Sequence, residues 1–85
     1  MNAFARKTLK IVGNPGSTIT VQQRGSQDIE AFGEQEILFA GRLDQNGEAT
    51  MYVPRGAILV LLSERAGGTM RIEIGRDEAL EIVNI

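Results

Sequence analysis

The sequence lacks the residues on which most catalytic and metal sites depend. Its 85 residues include no cysteine, no histidine and no tryptophan. Disulfide bonds are therefore excluded, and so is an ordinary zinc site, which takes most of its ligands from cysteine and histidine. A nucleophilic serine would have to use a lysine as its base, and the only lysines are Lys7 and Lys10. These absences predict a protein that is not an enzyme and that binds no metal or cofactor.

Long apolar runs are also absent. The longest unbroken run, 57–62, is far shorter than the roughly 20 residues that cross a bilayer. The first residues lack the apolar centre of a signal peptide, which predicts a soluble product made in the cytoplasm. A chain of 85 residues forms one domain with a small core, and domains of this size often gain stability by oligomerisation.

Acidic residues are missing from the first third of the chain. Residues 1–27 contain Arg6, Lys7, Lys10 and Arg24, whereas all eleven acids lie in residues 28–85. This asymmetry is either ordinary surface variation or a basic N-terminal arm that meets nucleic acid or an acidic neighbour. On the second interpretation, Arg6, Lys7 and Lys10 form an electrostatic docking site.

What fills the chain is a series of short segments in which apolar and polar residues alternate, separated by glycine-containing turns. Alternation with a period of two is typical of half-buried β-strands. The predicted strands are 8–12, 18–22, 36–43, 48–53, 57–62, 69–74 and 78–85. This pattern predicts an all-β fold, a small antiparallel β-sandwich or barrel of about seven short strands. A single β domain would occupy residues 7–85, preceded by an arm at residues 1–6.

Two segments interrupt this regular alternation. Residues 28–35 fit either a short strand or a bent loop. Asn46-Gly47 is a strong signal for a type I′ turn, which predicts a hairpin between strands 36–43 and 48–53.

One strand is apolar on both faces. In 57–62, Leu59 and Leu61 point to one side, and Ile58, Val60 and Leu62 point to the other. A two-layer domain has one core, so the second face needs cover from another part of the chain or from another chain. Covering each side chain is worth about 1.5–3 kcal/mol. Strands 36–43 and 78–85 repeat the pattern more weakly, and the predicted interface residues are Leu38, Ile58, Val60, Leu62, Val83 and Ile85.

A known family shares part of this pattern. The turn Asp44-Gln45-Asn46-Gly47, the turn Val53-Pro54-Arg55-Gly56 and the apolar strand that follows resemble carboxypeptidase-regulatory-like (transthyretin-type) β-sandwich domains. Ala57 and Ile58 stand where those domains usually carry an aromatic residue. The resemblance implies a seven-stranded, non-catalytic sandwich and carries over no functional residue.

In its size and lack of cysteine, the chain also resembles small structural proteins of phage virions. The leading hypothesis is therefore a non-catalytic assembly module of a virion: a capsid decoration, cement or connector protein. Its partners would be further copies of itself or neighbouring capsid or tail subunits, with no membrane and no small-molecule substrate. Two alternatives remain, a nucleic-acid-binding β-barrel that uses the basic arm, which the net negative charge disfavours, and an accessory domain that binds carbohydrate or protein.

Overall fold

The protein is a β-sandwich of two sheets. The computed structural model describes residues 6–23, 36–63 and 68–85, and within these ranges it contains seven strands and no helix. The strands are β1 (Arg6–Val12), β2 (Thr18–Gln23), β3 (Glu36–Arg42), β4 (Glu48–Pro54), β5 (Ile58–Ser63), β6 (Gly68–Glu73) and β7 (Leu80–Asn84). Three of them form a sheet in the order β4-β1-β7, and four form a second sheet in the order β3-β2-β5-β6. The all-β prediction is confirmed, and the choice between sandwich and barrel is decided in favour of the sandwich.

The core lies between the sheets and follows the alternation of the sequence. In each of β1, β2, β4 and β5, every second side chain points inward and is buried, because successive side chains of a strand leave opposite faces. The fully buried side chains of largest volume are Leu9, Ile11, Ile19, Val21, Val53, Leu59 and Leu61.

One strand pair differs from the antiparallel arrangement that the sequence predicts. β7 runs parallel to β1, with Thr8 beside Leu80 and Val12 beside Asn84. The chain leaves β6 in the four-stranded sheet and crosses the end of the sandwich through residues 74–79. It then enters the three-stranded sheet beside the start of β1 and runs in the same direction. Such a pairing is set by the path of the connection and has no local sequence signal.

The predicted Asn-Gly hairpin is wrong. β3 pairs with β2 and β4 pairs with β1, so residues 43–47 connect the two sheets. The Gly47 N–H donates to the Asp44 carbonyl (2.8 Å), and the Asp44 side chain accepts from the N–H groups of Asn46 and Glu48. Aspartate at the first position and glycine at the fourth is typical of a type I turn. The dipeptide therefore predicted a turn at the right place but not the connection that the turn makes.

The ends of the chain differ slightly from the predicted bounds. β1 already begins at Arg6, which the sequence assigns to the arm, and the last strand starts only at Leu80. Glu78 lies before that strand, in a loop to which Arg55 Nη1 donates hydrogen bonds at the carbonyls of Arg76 (2.8 Å) and Glu78 (2.9 Å). The remainder of the predicted arm and the ambiguous segment 28–35 lie outside the described residues.

Candidate functional site

The outer face of the four-stranded sheet carries an apolar stripe. We call Ile58, Val60 and Leu62 of β5 the β5 stripe. Ile58 and Leu62 are 39% and 37% exposed and Val60 is half-buried, whereas the inward-facing Leu59 and Leu61 are fully buried. β5 thus has an apolar side chain at nearly every position, and the sandwich core covers only one of its two faces.

Polar residues of the neighbouring strands border the β5 stripe on both sides. Strand pairing places Leu62 between Thr20 and Thr69, Val60 between Gln22 and Arg71, and Ile58 beside Glu73. Arg71 and Glu73 form an exposed ion pair, with 3.2 Å between Nη2 and Oε2. An apolar centre with a polar rim is the composition expected of a protein-binding surface.

On β3, the structure reverses the predicted orientations of Leu38 and Ile37. Leu38 packs against the core, and its neighbour Ile37 is 57% exposed on the outer face. The cause is a β-bulge opposite Val21 and Gln22, where the register passes from Phe39 directly to Ile37 and leaves Leu38 without a partner. A bulge adds one residue to a strand and changes which side chains point inward. Ile37 thus takes the outward place that the sequence assigns to Leu38.

The same reversal occurs on β7. Val83 and Ile85 pack against the core, whereas Leu80 and Ile82 are 43% and 52% exposed. Pairing of Val83 with the buried Ile11 fixes this orientation. Three of the six predicted interface residues, Ile58, Val60 and Leu62, therefore lie together on the outer surface. The other three, Leu38, Val83 and Ile85, face the core of their own chain.

A second exposed apolar group, which was not predicted from the sequence, lies on the outer face of the three-stranded sheet. Tyr52 is 68% exposed, and the strand register places Thr8 between it and Leu80. In the next row, Lys10 lies between Thr50 and Ile82. A signal for Tyr52 was available, because it alternates with the inward-facing Met51 and Val53. No such signal existed for Leu80 and Ile82, since both faces of the C-terminal strand are apolar.

The predicted electrostatic site is incomplete in the structure. Arg6 is exposed, and Lys10 Nζ lies 3.7 Å from Glu48 Oε1 at the surface. Lys7, in contrast, is buried, with its Nζ 2.9 Å from Glu81 Oε1 and 3.3 Å from the Gly75 carbonyl. Lys7 points inward like Leu9, so its ammonium group pairs with Glu81 within its own chain. The prediction that Lys7 docks on a neighbour is therefore corrected.

The ion pair between the buried Lys7 and the half-buried Glu81 perturbs the titration of Glu81. The hydrogen bond from the Lys7 ammonium is the main cause that lowers the pKa of Glu81, and the Gly75 N–H, 3.3 Å from Oε1, acts in the same direction. Both contacts join β1 and β7 to the connection that crosses the end of the sandwich. The pair therefore organises the fold beside the exposed part of β7.

The lowered pKa predicts a loss of stability in acid. A carboxylate whose pKa is lower in the folded state contributes stability above its unfolded pKa, and that contribution is lost as the pH falls through the folded value. For Glu81 the loss begins near its ordinary value of 4.5 and continues below it. Urea unfolding between pH 3 and 7 should show a weaker pH dependence in Glu81→Gln than in the wild type. Identical pH dependence in the two proteins would contradict this assignment.

Within the described ranges, no group of three or more acidic, histidine or cysteine side chains is placed to hold a metal ion. The part of the chain that the structure describes also contains no helix that is long and apolar enough to cross a membrane. No protein-family model matches the sequence, and no curated protein matches it significantly. The strand count agrees with the one that the transthyretin-type resemblance implies, and the resemblance itself remains a prediction.

Proposed function

We propose that the protein is a non-catalytic structural module that associates with further copies of itself through the β5 stripe. The observation that carries this proposal is the exposure of Ile58 and Leu62 on a strand whose other face is fully buried. Every second residue of an ordinary surface strand is polar, and β5 departs from this rule along its length. Contiguous exposed apolar residues with a polar border commonly mark an interface.

Because the domain is small, covering the β5 stripe would add appreciably to its stability. The free energy of unfolding of a domain is about 5–15 kcal/mol. Burying one fully exposed side chain of this type contributes about 1.5–3 kcal/mol, which is the upper limit for these partly exposed residues. Two copies that join their β5 stripes would cover Ile58, Val60 and Leu62 of both. The gain would be a substantial fraction of the stability of either copy.

The assembly that we propose for this module is a virion, in which the protein would serve as a capsid decoration, cement or connector protein. The support is the small, cysteine-free chain together with an outer apolar surface suited to repeated subunit contacts. The nucleic-acid alternative finds less support, because Lys7 is buried in an ion pair with Glu81 and the net charge is −2.

Val60→Asp and Leu62→Asp should each dissociate the oligomer while the subunit remains folded. A carboxylate at position 62 would lose its hydration in the interface and have only Thr20 and Thr69 beside it, whereas at the surface of a lone subunit it stays in water. Arg71 lies beside position 60, so Leu62→Asp should have the larger effect. Sedimentation velocity should show the wild type as an oligomer and both variants as a smaller species that has lost the β5 contact. Circular dichroism should show the same β-sheet signal in all three.

Thr50→Asp is the matched control. Thr50 is exposed on the outer face of the other sheet, so the added charge should leave the mass of the oligomer unchanged. A wild type that sediments as a monomer at every concentration would refute self-association. Variants that keep the oligomer of the wild type would refute the β5 stripe as its interface.

A further inference from the structure

Among the described residues, the backbone groups on the outer edge of β7 have no partner. Within the described residues, β7 pairs only with β1. The Thr8 N–H donates to the Ala79 carbonyl (3.0 Å), and the Ile85 N–H donates to the Val12 carbonyl (2.8 Å). In a parallel ladder, alternate residues direct their backbone groups to the same neighbour. The odd-numbered residues of β7 therefore face β1, and the N–H and C=O groups of Leu80, Ile82 and Asn84 point to the free edge.

Natural edge strands usually carry a feature that prevents pairing with another chain, such as proline, charge or a bulge. The other three edges follow this rule. β4 ends in Pro54, β6 exposes Arg71 and Glu73, and β3 takes part in a bulge. β7 contains no proline or glycine, and its only charged residue, Glu81, is paired with Lys7. It is the least protected edge that the structure describes.

We propose that β7 pairs antiparallel with β7 of a second copy, about a two-fold axis that places Ile82 opposite the partner's Ile82. This contact is separate from the β5 stripe and extends the proposed self-association to a second surface. It joins the two three-stranded sheets into one continuous six-stranded sheet. Ile82, which is 52% exposed, is then covered by the same residue of the other copy.

The register follows from the sequence of the strand. With Ile82 at the axis, Leu80 lies opposite the partner's Asn84, and all outward backbone groups of both strands have partners. Glu81 then lies opposite the partner's Val83. Centring the pairing on Glu81 would instead place two carboxylates opposite each other, which destabilises a sheet, and would leave the outward groups of Asn84 beyond the end of the partner strand.

A second copy suits this edge because the same surface of both copies meets in a two-fold contact. Each β7 strand then supplies hydrogen-bond partners for the outward N–H and C=O groups of the other. The apolar side chains on the outer face support the same choice. Leu80 and Ile82 of each copy would form one continuous apolar row across the joined edge.

A charge-exchange experiment at position 82, carried out in the Leu62→Asp background so that the β5 stripe makes no contact, tests the register directly. In Ile82→Glu alone, two carboxylates face each other across the axis, and in Ile82→Lys alone, two ammonium groups do. We expect either variant to weaken the edge contact by about tenfold or more. Mixing the two variants should restore it as a heterodimer, because opposite charges then meet. Native mass spectrometry distinguishes the heterodimer from both homodimers by mass.

Thr50→Glu and Thr50→Lys are the matched controls, since Thr50 lies on the same outer face but on β4, away from the β7 edge. They should leave the association unchanged, alone or mixed. Thermal unfolding checks that the position-82 variants remain folded. Lys10, beside position 82, favours the glutamate variant within its own chain, so this variant should be at least as stable as the lysine variant.

The outcomes separate this contact from the β5 stripe. Loss of association in each position-82 variant and its return on mixing would support the β7 pairing. Association that is unchanged in both variants would overturn the pairing, whereas Leu62→Asp in the otherwise wild-type chain tests the β5 stripe independently. Weakening without recovery on mixing would also overturn it, because Ile82 would then contact something other than the partner's Ile82, such as an extended segment of a different protein.

Discussion

Replacing Gly47 with alanine should destabilise the fold by about 3 kcal/mol or more. Gly47 has a φ of +79°, which L-residues rarely adopt, and an added Cβ would lie 2.3 Å from the Gly13 carbonyl oxygen. To relieve this overlap, the turn must move away from Gly13 and strain or break the hydrogen bond from the Gly13 N–H to the Gly47 carbonyl (2.8 Å). Equilibrium unfolding in urea measures the loss.

Gly16→Ala provides the control that separates the two causes. Gly16 has nearly the same φ, +82°, but nothing lies within 4 Å of an added Cβ. Its substitution should cost only the conformational term, about 1–2 kcal/mol. Equal losses in the two variants would show that the contact with the Gly13 carbonyl contributes nothing to the effect.

The second large effect concerns the ion pair between Lys7 and Glu81. Replacing Glu81 with leucine should cost about 3–5 kcal/mol, because a lysine side chain that is only 1% exposed then loses its counter-charge. The Gly75 carbonyl remains as an acceptor but carries no net charge. Removing both charges, with Lys7→Met and Glu81→Leu together, should restore most of the stability. Buried ion pairs can often be replaced by apolar residues at little cost.

A double-mutant cycle in urea gives the coupling energy between the two residues. The surface pair of Lys10 and Glu48 is the control, since its charged atoms are 3.7 Å apart and both side chains are at least one-third exposed. Its coupling should not exceed about 1 kcal/mol. A coupling between Lys7 and Glu81 as small as that of the surface pair would contradict the importance assigned to burial.

The sequence predicted the strands well where only one face is apolar. In β1, β2 and β4, polar residues on the outer face leave one possible orientation, and the core residues of these strands follow from alternation alone. β5 was also predicted correctly, including its two apolar faces. Glycine- and proline-containing turns marked the strand ends closely, because these residues restrict the local backbone whatever the fold around them.

The predictions failed where a partner strand decides the outcome. β3 and β7 have apolar residues at both odd and even positions, so alternation cannot show which set faces the core. The bulge opposite Val21 and Gln22 decides for β3, and the register with β1 decides for β7. Exchanging inward for outward residues in these strands removed Leu38, Val83 and Ile85 from the predicted surface and placed Ile37, Leu80 and Ile82 there.

The amino-acid sequence by itself determined that this protein is an all-β domain, where most of its strands lie, and that one strand has more apolar surface than its own core needs. These properties depend on local backbone preferences and on the period of two, which neighbouring residues set. Only the tertiary structure decided which strands share a sheet, that β7 runs parallel to β1, and that Lys7 pairs with Glu81 across 74 positions of the chain. Contacts between distant residues depend on the path of the connections, and this path follows from packing the two sheets together.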